Sequence, residues 1–215
     1  MAARIYEDET GVRLPSVTTI ISRFKESAGL VHWAWQVGTQ GKDYRVERAK
    51  AADAGTLAHV MVEGHLRGEE WPGTNEVDSA TVEKAKQGFE AYLTWERMTK
   101  LELRYCEVPL VSATHRFGGT PDAVGEFDGD LILLDWKTSN SIYSDYLLQL
   151  AAYKHLWEEN YPDHPITGGF HLCRFGKETG DFAHHYYPEL DEAWEAFKLM
   201  RALYDFCVHL KKRAG

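Results

Sequence analysis

Hydrophobic and polar positions change their period once along this chain, near residue 100. Before that point apolar residues recur at helical spacing. "LPSVTTIISRF" reads as a short helix with Ser16 or Thr18 at a capped start. "AGLVHWAWQVGTQGKDYRVERAKAADAG" reads as helical with a weak point at Gly38 and Gly41. "GTLAHVMVEGHLRG" carries an apolar stripe of Leu57, Val60, Met61 and Leu66, ended by Gly68 and "WPG". Glu76 to about Lys100 reads as a long amphipathic helix with Val82, Ala85, Phe89, Tyr92 and Leu93 inward.

After residue 100 the period falls to two. "LELRYCEVPLVS" alternates as one strand. "RFGGTPDAVGEF" and "LILLDWK" read as two more, joined by the turn signal "DGD". "SDYLLQLAAYKHLWEENY" is a helix ended by Pro162. "ITGGFHLCRF" and "DFAHHYYPE" form a strand pair around "GKETG", and Asp191 to about Lys211 is a closing helix. The order predicts the α/β class: a central mixed sheet of about five strands flanked by helices, with an N-terminal helical region. The expected organisation is one compact domain, residues 1–100 supplying the helical region and 101–215 the core.

Bulk properties narrow the class. The 215 residues suffice for a substantial apolar core. With 44% hydrophobic and 27% charged residues, the chain is of the soluble globular type. No apolar run approaches the roughly 20 residues of a membrane span, and "MAARIYEDETGV" has no signal-peptide pattern. Cys106, Cys173 and Cys207 offer neither a disulfide framework nor a metal clip, which points to a reducing, cytoplasmic setting. The net charge of −9 lacks the basic footprint of a protein coated in nucleic acid. An acidic metal site would account for some of those negatives. Local basic stretches remain: Lys42, Arg45, Arg48 and Lys50, and Lys211, Lys212 and Arg213. A solvated helix face is their plainer reading.

The chemistry concentrates in "GGTPDAVGEFDGDLILLDWKTS". On the strand "LILLDWK", Leu133, Asp135 and Lys137 share one face, and Leu134 and Trp136 the other. A hairpin centred near residues 128–129 pairs Asp122 with Asp135 within about one residue of register. Two carboxylates then converge beside one lysine. Without a counter-ion one of them would have to take a proton. Hard oxygen ligands in a partly hydrated site favour Mg²⁺ or Mn²⁺, which would polarise a phosphoryl oxygen and acidify a bound water. Lys137 would orient or help deprotonate that water and stabilise charge on the phosphate. The competing reading is a surface cluster of Asp and Lys.

Four segments in this order resemble the PD-(D/E)xK nuclease superfamily, in its RecB-like exonuclease branch. They are "GTLAH" with His59, "GGTPD" with Asp122, "DWK" with Asp135 and Lys137, and "QLAAY" with Gln149 and Tyr153. The resemblance covers about residues 50–190 and implies a restriction-endonuclease-like core. It implies that His59, Asp122, Asp135 and the Trp136 backbone carbonyl hold the metal and that Lys137 is the catalytic lysine. It also implies that Gln149 and Tyr153, four apart on one helix face, border the site. Glu63 could reach the same site or serve a structural salt bridge. Glu107 is a weaker candidate to approach the metal. Thr138 and Ser139 would bind a backbone phosphate or cap the following turn. His32, Trp33 and Trp35 are base-stacking candidates, with core packing as the plainer reading.

The activity so implied is metal-dependent hydrolysis of DNA, as an exonuclease in recombination, repair or phage DNA processing. DNA would be held through phosphates with little sequence preference, and a recombinase, helicase or single-strand-binding partner fits that setting. Three cysteines are one too few for the iron–sulfur cluster of some relatives, so none is expected. No G-x-x-x-x-G-K-[ST] helicase motif is present. The alternatives are an endonuclease of the same fold and a non-catalytic DNA-binding module. An unrelated metal hydrolase is disfavoured by the absence of H-E-x-x-H.

Overall fold

The computed structural model describes residues 4–25, 28–45, 54–69 and 77–214. β1 (Tyr6–Glu7) and β2 (Arg13–Leu14) form a small hairpin, an addition to the elements expected from the pattern. Ser16 then caps α1 (Val17–Phe24), its hydroxyl accepting from the Thr19 N–H at 3.0 Å. α2 (Ala28–Thr39) stops at the expected weak point, followed by Gly41 at φ +72°. The rest of that expected helix, residues 46–53 with Arg48 and Lys50, lies outside the described residues, as does Glu76.

α3 (Ala54–Arg67) buries a different stripe from the one expected. Ala54, Ala58, Met61 and Val62 face inward, while Leu57 and Val60 are half-buried. The reason is close approach. A Cβ on Gly55 would meet the Thr138 side chain at 2.7 Å and the Gly176 carbonyl at 2.8 Å. α3 therefore lies against the sheet through its smallest residues. α4 (Ser79–Thr99) begins at Asp78, which accepts from the Thr81 N–H, and closes at Lys100 in the left-handed region.

Two expected strands are each broken in two. "LELRYCEVPLVS" becomes β3 (Glu102–Cys106) and β4 (Leu110–Ser112), separated at Glu107, whose φ is +49°. "RFGGTPDAVGEF" becomes β5 (Phe117–Gly119) and β6 (Ala123–Phe127), separated at Pro121, which has no N–H to give a ladder. The breaks coincide, since the Glu107 N–H donates to the Asp122 carbonyl at 2.9 Å. β4 and β5 pair with each other, away from the main sheet.

β7 (Asp130–Thr138), α5 (Ser144–Asn160), β8 (Phe170–Phe175), β9 (Phe182–Tyr187) and α6 (Asp191–Ala214) complete the chain. The main sheet has the order β3-β6-β7-β8-β9 and is mixed. β7 and β8 are parallel, joined through α5, and the other neighbours are antiparallel. Asp128 and Gly129 both have positive φ, 50° and 89°, as a type I′ hairpin turn requires.

Each sheet face has its own core. Val124, Leu133 and Leu172 pack against α1, α5 and α6. Ala123, Leu134, Trp136 and Cys173 pack against α3 and α4. Among the described residues no helix is long and apolar enough to cross a membrane.

Candidate active site

The β6–β7 hairpin sets the site. Its register pairs Ala123 with Leu134. One step further puts Asp122 opposite Asp135, as the turn position requires. Asp122 has just left the strand at the Pro121 break, so its side chain is free to turn across. Its Oδ2 accepts the Trp136 N–H at 2.9 Å. In an extended strand a residue's N–H and C=O point to the same neighbour. The Trp136 carbonyl is therefore directed to the Asp122 side, while its indole lies in the other core.

Asp135 is fully buried. Lys137 Nζ stands 2.5 Å from its Oδ2, yet neither carboxylate oxygen accepts a well-directed hydrogen bond. Burial, seconded by the Asp122 charge, pushes the Asp135 carboxyl well above the usual carboxylate range against the pull of Lys137. The Lys137 ammonium is raised by the opposing pull of Asp135 and Asp122, which outweighs its own desolvation. Its Nζ also lies 5.5 Å over the Tyr146 ring, a contact that no sequence motif marked.

α5 brings the next pair. Gln149 donates to the Tyr153 hydroxyl at 2.8 Å, as one helix face allows. Burial first, then the charges of Asp135 and Asp122, hold the Tyr153 phenol well above its usual range. Tyr153 is thus a neutral O–H beside the two carboxylates. A Cβ on Gly119 would meet its ring at 2.7 Å, which explains the glycine of "GGTPD".

His59 reaches the neighbourhood from α3, near enough to weigh on Asp135. Its Nε2 is 3.3 Å from Glu63 Oε1, within ion-pair range but without hydrogen-bond alignment. Glu63 is held low by that contact with His59. Glu107 is turned toward Arg67 at 2.6 Å and Arg4 at 3.3 Å. Arg4 also reaches the Thr120 hydroxyl, two residues before Asp122. The hydroxyl of Ser139 donates to the Ser141 carbonyl, closing the turn after β7. Thr138 packs its methyl near Gly55. On α2, His32 and Trp35 stack at 5.8 Å, and Trp35 is 63% exposed, so core packing does not hold for it. Trp33 is half-buried, edge-on to Tyr44.

Among the described residues, no three His, Cys, Asp or Glu side chains stand close enough together to hold a metal ion. In kind, the donors fit a hard divalent cation: two carboxylates, a backbone carbonyl and an imidazole. Apart from the Lys137 contact, the buried Asp135 oxygens have no partner, and neither accepts a well-directed hydrogen bond, which leaves room for a cation. His59 leans to Glu63 instead of closing the set.

A mixed sheet with helices on both faces and two acids and a lysine at a strand junction defines a restriction-endonuclease-like nuclease fold. The sequence model of the PD-(D/E)XK nuclease superfamily matches residues 29–206, and the chain belongs to that superfamily. Among solved structures it is similar to a protein from Eubacterium rectale provisionally named an exonuclease. The TM-score is 0.50 at 16% identity, covering 68% of this chain and 64% of that one. A second structure, of the protein SSO0001, aligns at 13% identity over 75% of this chain and 74% of that one, with a TM-score of 0.33. No curated protein matches.

Proposed function

We propose that the protein is a divalent-metal-dependent deoxyribonuclease of the RecB-like branch that degrades DNA from its ends. The observation that carries this reading is the meeting of Asp122, Asp135 and Lys137 at the β6–β7 junction, where the buried Asp135 carboxylate has Lys137 as its close partner and accepts no well-directed hydrogen bond. The superfamily supports phosphodiester hydrolysis. The exonuclease reading draws on the motif order and on the name of the E. rectale neighbour.

Asp122, Asp135, His59 and the Trp136 carbonyl would hold Mg²⁺ or Mn²⁺. When bound, the ion polarises a phosphoryl oxygen and lowers the pKa of a water. Lys137 stays protonated between its carboxylates, so it orients the attacking water and offsets charge on the phosphate. Tyr153, oriented by Gln149, offers an un-ionised O–H beside the same carboxylates. Asp122 keeps the β7 backbone in place through the Trp136 N–H. Glu63 tethers His59.

End-labelled linear DNA and closed circular DNA, incubated with Mg²⁺ or Mn²⁺ and with EDTA, test the reading. Linear DNA is expected to shorten only with the metal, and covalently closed circles to persist. Lys137→Ala and Asp122→Ala are expected to fold and to lose cleavage by about 10³-fold or more. Wild-type cutting in EDTA, or variants as fast as wild type, would overturn the metal site. Cleaved circles would make the enzyme an endonuclease.

A further inference from the structure

The N-terminal end of α5 places two aromatic rings between two lysines. Tyr143 occupies the N-cap position and makes no side-chain cap hydrogen bond, where Ser, Thr, Asp or Asn would ordinarily stand. Its ring meets Tyr146 edge to face, with centroids 5.5 Å apart. At the outer end, Lys25 Nζ lies 5.9 Å over the Tyr143 ring. At the inner end, Lys137 Nζ lies 5.5 Å over the Tyr146 ring.

The two tyrosines differ in setting. Tyr146 packs against the α5 core and is anchored. Tyr143 is 48% exposed. Lys25 is held at 2.8 Å from Asp145, so its position is fixed by an ion pair from the first turn of the same helix. An exposed tyrosine beside a lysine is ordinary surface. Here the array continues, ring to ring, to the lysine that touches the buried Asp135 at 2.5 Å.

From this array, and resting on the nuclease reading above, we infer that Tyr143 and Tyr146 form a nucleobase-stacking subsite. It takes one unpaired base of a single-stranded end, next to the phosphate that Lys137 faces. Every base has a π-face, so the subsite tolerates any sequence. A tyrosine loses little rotamer freedom on contact, which suits a platform. A base inside a duplex is already stacked and paired and must be pulled out at a cost. The subsite therefore favours single strands and frayed ends over blunt duplex. Lys25 adds a cation at the far side for the following phosphate. The His32–Trp35 stack on α2 has an exposed ring too, but no described contact joins it to Lys137 or the acids.

End-labelled single strands carrying one abasic tetrahydrofuran residue, scanned through the terminal positions, read the subsite by cleavage in Mg²⁺. Wild type is expected to show a KM about tenfold higher when the missing base is at one position, with kcat little changed. Tyr143→Ala is expected to show that higher KM on intact strands and no further loss on the abasic one. Tyr143→Phe should restore the wild-type pattern. A Tyr143→Ala enzyme with wild-type KM and wild-type abasic sensitivity overturns the inference. Wild type inert toward all strands in Mg²⁺ and Mn²⁺ means that the nuclease reading has failed. The subsite is then judged in EDTA by quenching of a 2-aminopurine strand: quenching lost in Tyr143→Ala upholds it, and equal or absent quenching overturns it.

Discussion

Asp135 carries the largest electrostatic cost in the site. It is fully buried, has one lysine beside it without a well-directed hydrogen bond, and faces a second carboxylate across the hairpin. A protein selected for stability alone would place an apolar side chain there. Lys137 offsets part of the cost, and burial still dominates. Asp135→Asn is therefore expected to leave the melting temperature unchanged or raise it at pH 7, while cleavage disappears. Thermal unfolding followed by circular dichroism, beside a cleavage assay, checks both halves. A fall of about 2 kcal/mol or more in stability would mean that the carboxylate is structural. Sequence patterning put Asp122, Asp135 and Lys137 together because strand period and turn position are local properties. Tyr146 escaped it, since its contact with Lys137 joins a helix to a strand through a loop.

At the scale of elements, the site depends on where strands stop. Glu107 in the left-handed region and Pro121 without an N–H break two neighbouring strands at the same level. The backbone that peels away there frees Asp122 to cap the Trp136 N–H. It also sends β4 and β5 off to pair under α5, with Gly119 against Tyr153. Gly119→Ala forces a methyl group against Tyr153, Leu156 and Val17 at 2.7 to 3.0 Å. The expected result is a loss of about 1–3 kcal/mol from overpacking, with cleavage reduced more than stability alone explains. Urea unfolding and kcat at a temperature where both proteins are folded test this, and wild-type values for both would contradict it. Alternation along "LELRYCEVPLVS" hid the break, because one left-handed residue leaves the apolar pattern on both sides intact. The buried stripe of α3 departs from its hydrophobic spacing for a related reason. Hydrophobic spacing favours Leu57 and Val60, whereas close packing on the sheet selects Gly55, Ala54 and Ala58.

Across the whole molecule, acid sensitivity away from the site lies in two half-buried histidines, one beside each core. His155 stacks on Trp194 at 3.8 Å, joining α5 to α6. His184 accepts or donates in a 2.9 Å contact with His171 and lies 4.7 Å from Trp95. Burial, together with neighbouring positive groups, holds His155 and His184 down to about 4. The unfolded chain binds these protons near the ordinary value of about 6.5. Between about pH 6.5 and 4 the unfolded state thus holds more protons, and stability falls as pH falls. Each histidine is only about half shielded, so the loss is about 1–2 kcal/mol apiece after screening by solvent. The raised Asp135 carboxyl works in the opposite sense over the same range, so the readout is the difference between proteins: His155→Phe, which keeps the stack, is expected to lose less melting temperature than wild type between pH 7 and 4.5. An equally steep slope in that variant would remove His155 from the account.

The periods of the sequence by themselves determined the α/β class, the order of the main elements and the hairpin register that opposes Asp122 and Asp135. Those are short-range properties, set by side-chain alternation and by a two-residue turn that demands positive φ. Tertiary structure alone decided the rest. Which strands break depends on a backbone contact between Glu107 and Asp122. The neutral state of Tyr153 depends on burial and on charges from two other elements. The row from Lys25 through Tyr143 and Tyr146 to Lys137 runs from the residue that follows α1, along the start of α5, to β7, and no local period can encode a line of contacts across three parts of the chain.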